Sequence, residues 1–113
     1  MKNMKNHSII RKIKDRKLYS MLANNKGGKT RMRILDEIID NPCNANQLSK
    51  KLELDYKTIR YHMKIICKNN YASEETFEKY THYYPGDKLI KNIDEYYIIK
   101  EHIKKLEEEK NEK

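Results

Sequence analysis

Cysteine is scarce in this chain, and its two copies, Cys43 and Cys67, stand far apart in sequence. Two cysteines cannot build a disulfide scaffold, and no CxxC or Cys/His spacing of a metal site is present. A long apolar run is also missing. The first residues, MKNMKNHSIIRKIKD, are charged and lack the hydrophobic region of a signal peptide, and no stretch approaches a membrane span. These absences predict a soluble, cytoplasmic protein with no membrane partner. Clustered catalytic groups are absent as well: His7, His62, His82 and His102 are isolated from one another. No general base, metal centre or cofactor is expected, and the chain does not read as an enzyme.

Glycine is equally sparse, with three copies, two of them adjacent in Gly27-Gly28-Lys29-Thr30. With Ala23 ahead of it, this stretch fits the loosest form of a phosphate-binding loop. That motif works when a strand delivers a glycine-rich turn onto a helix start, so that backbone N–H groups surround phosphates. Here the preceding segment reads as helix, the first glycine is replaced, and nothing downstream resembles a nucleotide-binding sheet. A helix terminator followed by a turn is the better reading.

Charge, by contrast, is plentiful and unevenly placed. The 113 residues suit one small domain, and 37% of them are charged, with a net +8. Residues 1–70 hold 17 Lys and Arg against 6 Asp and Glu, a net +11, whereas residues 71–113 hold 8 against 11, a net −3. A basic first portion implies an anionic partner, nucleic acid first and an acidic lipid surface second.

Hydrophobic spacing then organises the chain. Residues 1–7 are polar and read as a disordered tail. Ser8–Asn24 carries Ile9, Ile10, Ile13, Leu18, Met21 and Leu22 on one broad side, the pattern of a helix. A second helix is predicted over Thr30–Asn41, stopped by Pro42. A third follows over NANQLSKKL, where Asn44 and Gln47 have the form of a capping box. After only Glu53-Leu54-Asp55 comes Asp55–Asn69, DYKTIRYHMKIICKN. Its Ile59, Met63 and Ile66 form a buried stripe, and Asp55 is placed to cap its first turn. The opposite side shows Tyr56, Lys57, Arg60, Tyr61, Lys64 and Lys68.

Two helices joined by about three residues have the spacing of a helix-turn-helix, whose second helix enters the DNA major groove. On TRMRILDEIID, QLSKKL and TIRYHMKII, the stretch from residue 28 to about 90 resembles the winged helix-turn-helix regulators of the arsenic-repressor (ArsR-like) type, particularly their archaeal relatives. The resemblance implies a mainly α fold with a small β-hairpin: a winged helix-turn-helix with flanking N- and C-terminal helices. The DNA-binding unit would span residues 8–91, with the recognition helix at 55–69 and the wing at 71–85. The wing carries β-favouring Tyr71, Thr76, Phe77, Tyr80, Thr81, Tyr83 and Tyr84, but Glu74, Glu75 and Glu78 leave its tip acidic. Lys79 and His82 are its candidate backbone contacts. Metal-sensing relatives carry cysteine or histidine clusters, and Cys67 alone does not reproduce one.

Residues 92–113 are predicted to form a C-terminal helix, opened by an Asn92/Glu95 capping box. Its Tyr96, Ile99, Ile103 and Leu106 repeat as a two-heptad seam. With Ile9 and Ile13 these are the candidate dimerisation residues. The same helix has a second option, covering its own core.

The expectation is therefore sequence-specific binding of double-stranded DNA by a homodimeric transcriptional regulator. Tyr56, Lys57, Thr58, Arg60 and Tyr61 are the candidate base contacts. Lys50, Lys51, Lys64, Lys68, Lys29, Arg31, Arg33 and Lys79 are the candidate phosphate contacts. The alternative is a protein-interaction winged-helix module of a larger transcription or replication assembly.

Overall fold

The structure is a computed structural model and describes residues 11–24 and 26–111. Helix α1 spans Arg16–Ala23, α2 Gly28–Asp40, α3 Ala45–Leu52 and α4 Tyr56–Lys68. Strand β1 is the pair Cys43–Asn44 between α2 and α3, and strands β2, Ala72–Phe77, and β3, Tyr80–Pro85, form a hairpin after α4. A short α5, Asp87–Lys91, leads into α6, Ile93–Asn111. The three strands order as β1-β3-β2, all antiparallel.

The apolar spacing read from the sequence decides which faces are buried. Ile34, Leu35 and Ile38 of α2, Leu48 of α3, and Ile59, Met63 and Ile66 of α4 are all within 1% of complete burial. Each such side chain contributes on the order of 1.5–3 kcal/mol by leaving water. Helix α2 lies against α1, α3 and α4, so it is the centre on which the other helices are hung.

The helix ends show where local chemistry acts. Asn44 and Gln47 make both bonds of the capping box: Asn44 Oδ1 accepts from the Gln47 N–H at 2.8 Å, and Gln47 Oε1 from the Asn44 N–H at 2.9 Å. Helix α4 closes on Asn70 at φ 65°. Its N–H donates to the Cys67 carbonyl, and the Tyr71 N–H donates to the Ile66 carbonyl. That pairing is a Schellman stop with Asn in the left-handed position, and buried Tyr71 and Ile66 supply its apolar contact.

Four expectations change. Asp55 holds the N-cap position of α4 but makes no side-chain cap bond. The helix expected over Ser8–Asn24 starts anew at Arg16, because Asp15 is its N-cap and accepts from the Leu18 N–H at 3.1 Å; residues before 11 lie outside the described residues. The predicted C-terminal helix forms as the single helix α6, but α5 precedes it where no helix was expected, and the Asn92/Glu95 pair is not a capping box. Asn92 instead donates to Asp15 (3.0 Å), while Glu95 accepts from the backbone N–H groups of Lys14 (3.0 Å) and Asp15 (2.9 Å). Finally, the expected Pro42-Cys43 link becomes β1, with Cys43 opposite Tyr83 and Asn44 opposite His82.

Candidate nucleic-acid interface

Helix α4 is delivered to the surface by a turn fixed at both sides. Glu53 adopts φ 54°, the Leu54 N–H donates to the Ser49 carbonyl, and the Ser49 hydroxyl donates to the Leu54 carbonyl. Arg33 adds a bond from Nη2 to the Leu52 carbonyl at 2.8 Å. With its apolar stripe buried, α4 turns Lys57, Tyr61, Lys64 and Lys68 outward, and Tyr61 is 62% exposed. The sequence of α4 contains no acidic residue. Its outward face is cationic and rich in donors.

The remaining base-contact candidates divide. Tyr56 is 46% exposed at the helix start, and Thr58 is half-buried. Arg60 is exposed but turned toward the wing, where its Nη1 donates to the Tyr83 hydroxyl at 2.8 Å. A groove of about 610 Å³ runs between α4 and the wing, lined on the helix side by Lys57, Arg60, Tyr61 and Lys64 and on the wing side by Glu74 and Tyr83. Cys67 also borders it. Burial, reinforced by Glu74 and opposed by Arg60, pushes its thiol up to about 11. Burial raises the Cys43 thiol as well, against the pull of nearby Lys51. Both remain protonated thiols near neutrality and are poor nucleophiles or metal ligands. Among the described residues no group of three or more His, Cys, Asp or Glu could hold a metal ion.

The candidate phosphate contacts are scattered more widely than their common charge implied. Lys64 and Lys68 flank the outward face of α4, and Lys50 is exposed near the end of α3. Lys79 is exposed in the wing turn. Lys51 is 3.8 Å from Glu37, and Lys29 is paired with Glu107 at 3.0 Å. Arg31 is 6% exposed, with Nε donating to the Met21 carbonyl (2.8 Å) and Nη1 to His62 Nδ1 (3.2 Å). It is held by interior hydrogen bonds, and it reaches the surface only at a cleft between α1 and α4. The two adjacent glycines serve that packing: a Cβ on Gly27 would come within 2.7 Å of Arg31 Nη1 and of His62 Cε1, and one on Gly28 would overlap the Leu22 carbonyl. The segment before them is helix α1, so no strand delivers a phosphate loop here.

Two features escaped the sequence reading. The wing tip is aromatic as well as acidic, with Phe77 75% and Tyr80 56% exposed and paired across the Glu78-Lys79 turn; of Tyr80, Tyr83 and Tyr84, Tyr83 alone is buried. His82 is half-buried opposite Asn44. The second concerns the apolar seam of α6. Tyr96 and Ile99 are fully buried and Ile13 is 3% exposed, all within one protomer's core, while Ile103 and Leu106 are half-buried. Tyr96 donates to Asp36 at 2.6 Å, and α6 lies along α1. Ile13, Tyr96 and Ile99 are therefore covered within one protomer, and Ile9 lies outside the described residues. The apolar side chains left outward on α5 and α6 are Ile90, Tyr97 and Ile98.

A capped helix, a three-residue turn, an outward cationic helix and a two-stranded hairpin in that order define a winged helix-turn-helix. Residues 28–74 match the family described as "Bacterial regulatory protein, arsR family". An uncharacterized helix-turn-helix-type transcriptional regulator of Methanocaldococcus jannaschii is 33% identical over 73 residues, which is 64% of this chain. The match spans about a fifth of that protein, 19% of its length. Two structures of HlyU from Vibrio cholerae share the fold. The reduced form superposes with a TM-score of 0.54 at 19% identity, covering 88% of this chain and 86% of the other. The second does so at 0.55 and 16%, covering 72% and 89%. No helix among the described residues is long and apolar enough to cross a membrane.

Proposed function

We propose that this chain is a transcriptional regulator that binds double-stranded DNA as a homodimer, with α4 in the major groove. The carrying observation is the outward face of α4: Lys57, Tyr61, Lys64 and Lys68 stand exposed on a helix without one acidic residue. Such a face neutralises phosphates and releases counterions, the sequence-independent part of DNA affinity. Lys57 and Tyr61, with Tyr56 beside them, lie on the first turns of the helix, where base edges are read. Arg60 joins them by leaving Tyr83, and its fork then suits guanine O6 and N7. Lys50, Lys64, Lys68 and Lys79 supply phosphate contacts. The arsR-family match over residues 28–74 supports the same reading. The chain acts in the cytoplasm, where its DNA is reached.

The homodimer uses the outward face of α5 and α6, because Ile90, Tyr97 and Ile98 are the large apolar side chains left uncovered there. Two recognition helices about 34 Å apart then meet successive major grooves of a roughly palindromic site. Selection of bound sequences from random duplex DNA at a stated salt concentration tests the reading. A two-fold symmetric motif is the expected result. Enrichment of no motif, with affinity unaffected by salt, would overturn it.

A further inference from the structure

Among the described residues the buried Arg31 guanidinium has no counter-ion. A charge withdrawn from water is ordinarily paired with an opposite charge, and arginine does not escape by losing its proton. Among the described residues no carboxylate lies within ion-pair distance of it; the ion pairs present involve Lys29, Lys51 and Lys100. Its Nε and Nη1 are held by the Met21 carbonyl and His62, while its Nη2 has no hydrogen-bond partner among the described residues and is not itself fully buried. Burial pulls its pKa below the ordinary arginine value.

The guanidinium borders a cleft of about 250 Å³ between α1 and the flank of α4. The polar lining is Lys17, Ser20, Asn24, Arg31, Tyr61 and Asn69, with no acidic residue. Asn24 accepts the Lys26 N–H through Oδ1, which leaves its amide NH2 as a donor. Hydroxyls of Ser20 and Tyr61 can donate as well. A donor-lined cleft around a fixed cation, with room for a tetrahedral ion, recognises an oxyanion.

We propose that this cleft binds a phosphate-type oxyanion, which completes Arg31 as its counter-ion. Gly27 is part of the design, since any Cβ there would displace the Arg31 and His62 side chains that set the guanidinium in place. The phosphate comes from one of two sources, the DNA backbone beside Tyr61 or a free phosphate or phosphate ester. In either case its binding is felt by the recognition helix through Tyr61 and through His62. The DNA source rests on the function proposed above, whereas the oxyanion seat rests on Arg31 alone.

The test is calorimetric titration of the full chain with sodium phosphate, against sodium chloride at matched ionic strength and without DNA. Saturable one-to-one binding of phosphate is expected. Because an Arg31 variant risks the fold, Lys17→Glu on the exposed rim carries the comparison and should weaken phosphate binding by about tenfold. Repeating the titration with duplex DNA present separates the sources. Competition assigns the seat to a backbone phosphate, and Lys17→Glu should then lower the slope of log affinity against log salt by about one. Simultaneous binding assigns it to a free oxyanion. Absence of saturable phosphate binding, or binding that Lys17→Glu leaves unchanged, overturns the inference. A chain that binds phosphate but no DNA keeps this inference and loses the proposed function; one that binds DNA but not phosphate does the reverse.

Discussion

His62 shows how far a single side chain can tie α4 to the interior. It is buried on α4, and its Nδ1 accepts from Arg31, so the imidazole must be neutral to make that bond. Burial first, and the Arg31 charge second, hold its pKa below the ordinary value of 6.5. The folded state therefore binds fewer protons here than the unfolded one. The stability His62 contributes is complete above about pH 6.5 and falls as pH drops through its lower folded value. His102, buried beside Tyr19, is depressed chiefly by burial and adds to the same slope. Urea midpoints measured between pH 8 and pH 5 should decline, and His62→Gln, whose amide oxygen can still accept from Arg31, should flatten the decline. A profile unchanged by that substitution would place the acid sensitivity elsewhere. Ile59 sits next in importance on the same helix. It is fully buried, and Ile59→Ala should cost about 2–5 kcal/mol in denaturant unfolding.

At the scale of elements, the three capping patterns in the sequence came to different ends. Asn44 and Gln47 cap α3 with both bonds made, so Asn44→Ala should cost about 1 kcal/mol, read as a lowered urea midpoint. Asp55 makes no cap bond, and Asp55→Ala should lose only the weaker attraction of a carboxylate for the helix start, about 0.3–1 kcal/mol. A larger loss at Asp55 than at Asn44 would contradict the geometry. The contrast marks what was legible in the sequence. Helix existence, the buried stripe of α4, the stop at Pro42 and the hairpin are set by near neighbours in sequence, and these were readable. Asn92 and Glu95 form the same local pattern as Asn44 and Gln47, yet their bonds go to Asp15 and to the backbone before α1, across nearly the whole chain. Nothing local announces such a partner. Charge has the same ambiguity: Lys29, Arg31 and Lys64 are all cations near the helix-turn-helix, but Lys29 is paired with Glu107, Arg31 is interior, and Lys64 is exposed. A two-residue strand such as β1 is too short to leave a pattern at all.

At the scale of the molecule, apolar periodicity says that a face is covered without saying by what. The repeat of Tyr96 and Ile99 suited either a dimer seam or a cover for the chain's own core, and both side chains are buried within one protomer, with Tyr96 bonded to Met32 and Asp36 of α2. The proposed second copy must therefore bind elsewhere, and adjacent residues separate the two faces cleanly. Ile98 is 47% exposed, whereas Ile99 is fully buried. If two copies meet across Ile90, Tyr97 and Ile98, a carboxylate at position 98 places charge in a desolvated apolar contact and splits the pair. Ile98→Glu should sediment as a monomer with its melting temperature little changed, since the side chain is half exposed in one protomer. Ile99→Glu should instead lose the fold, because its charge would enter the core unpaired. Losing the dimer also loses the gain from binding two half-sites together, about 10²–10⁴ in affinity for a palindromic site. Ile98→Glu should then bind a full site hardly better than a half-site. A variant that stays dimeric would move the interface off this face, while one that becomes monomeric yet keeps full-site affinity would remove the dimer from DNA recognition.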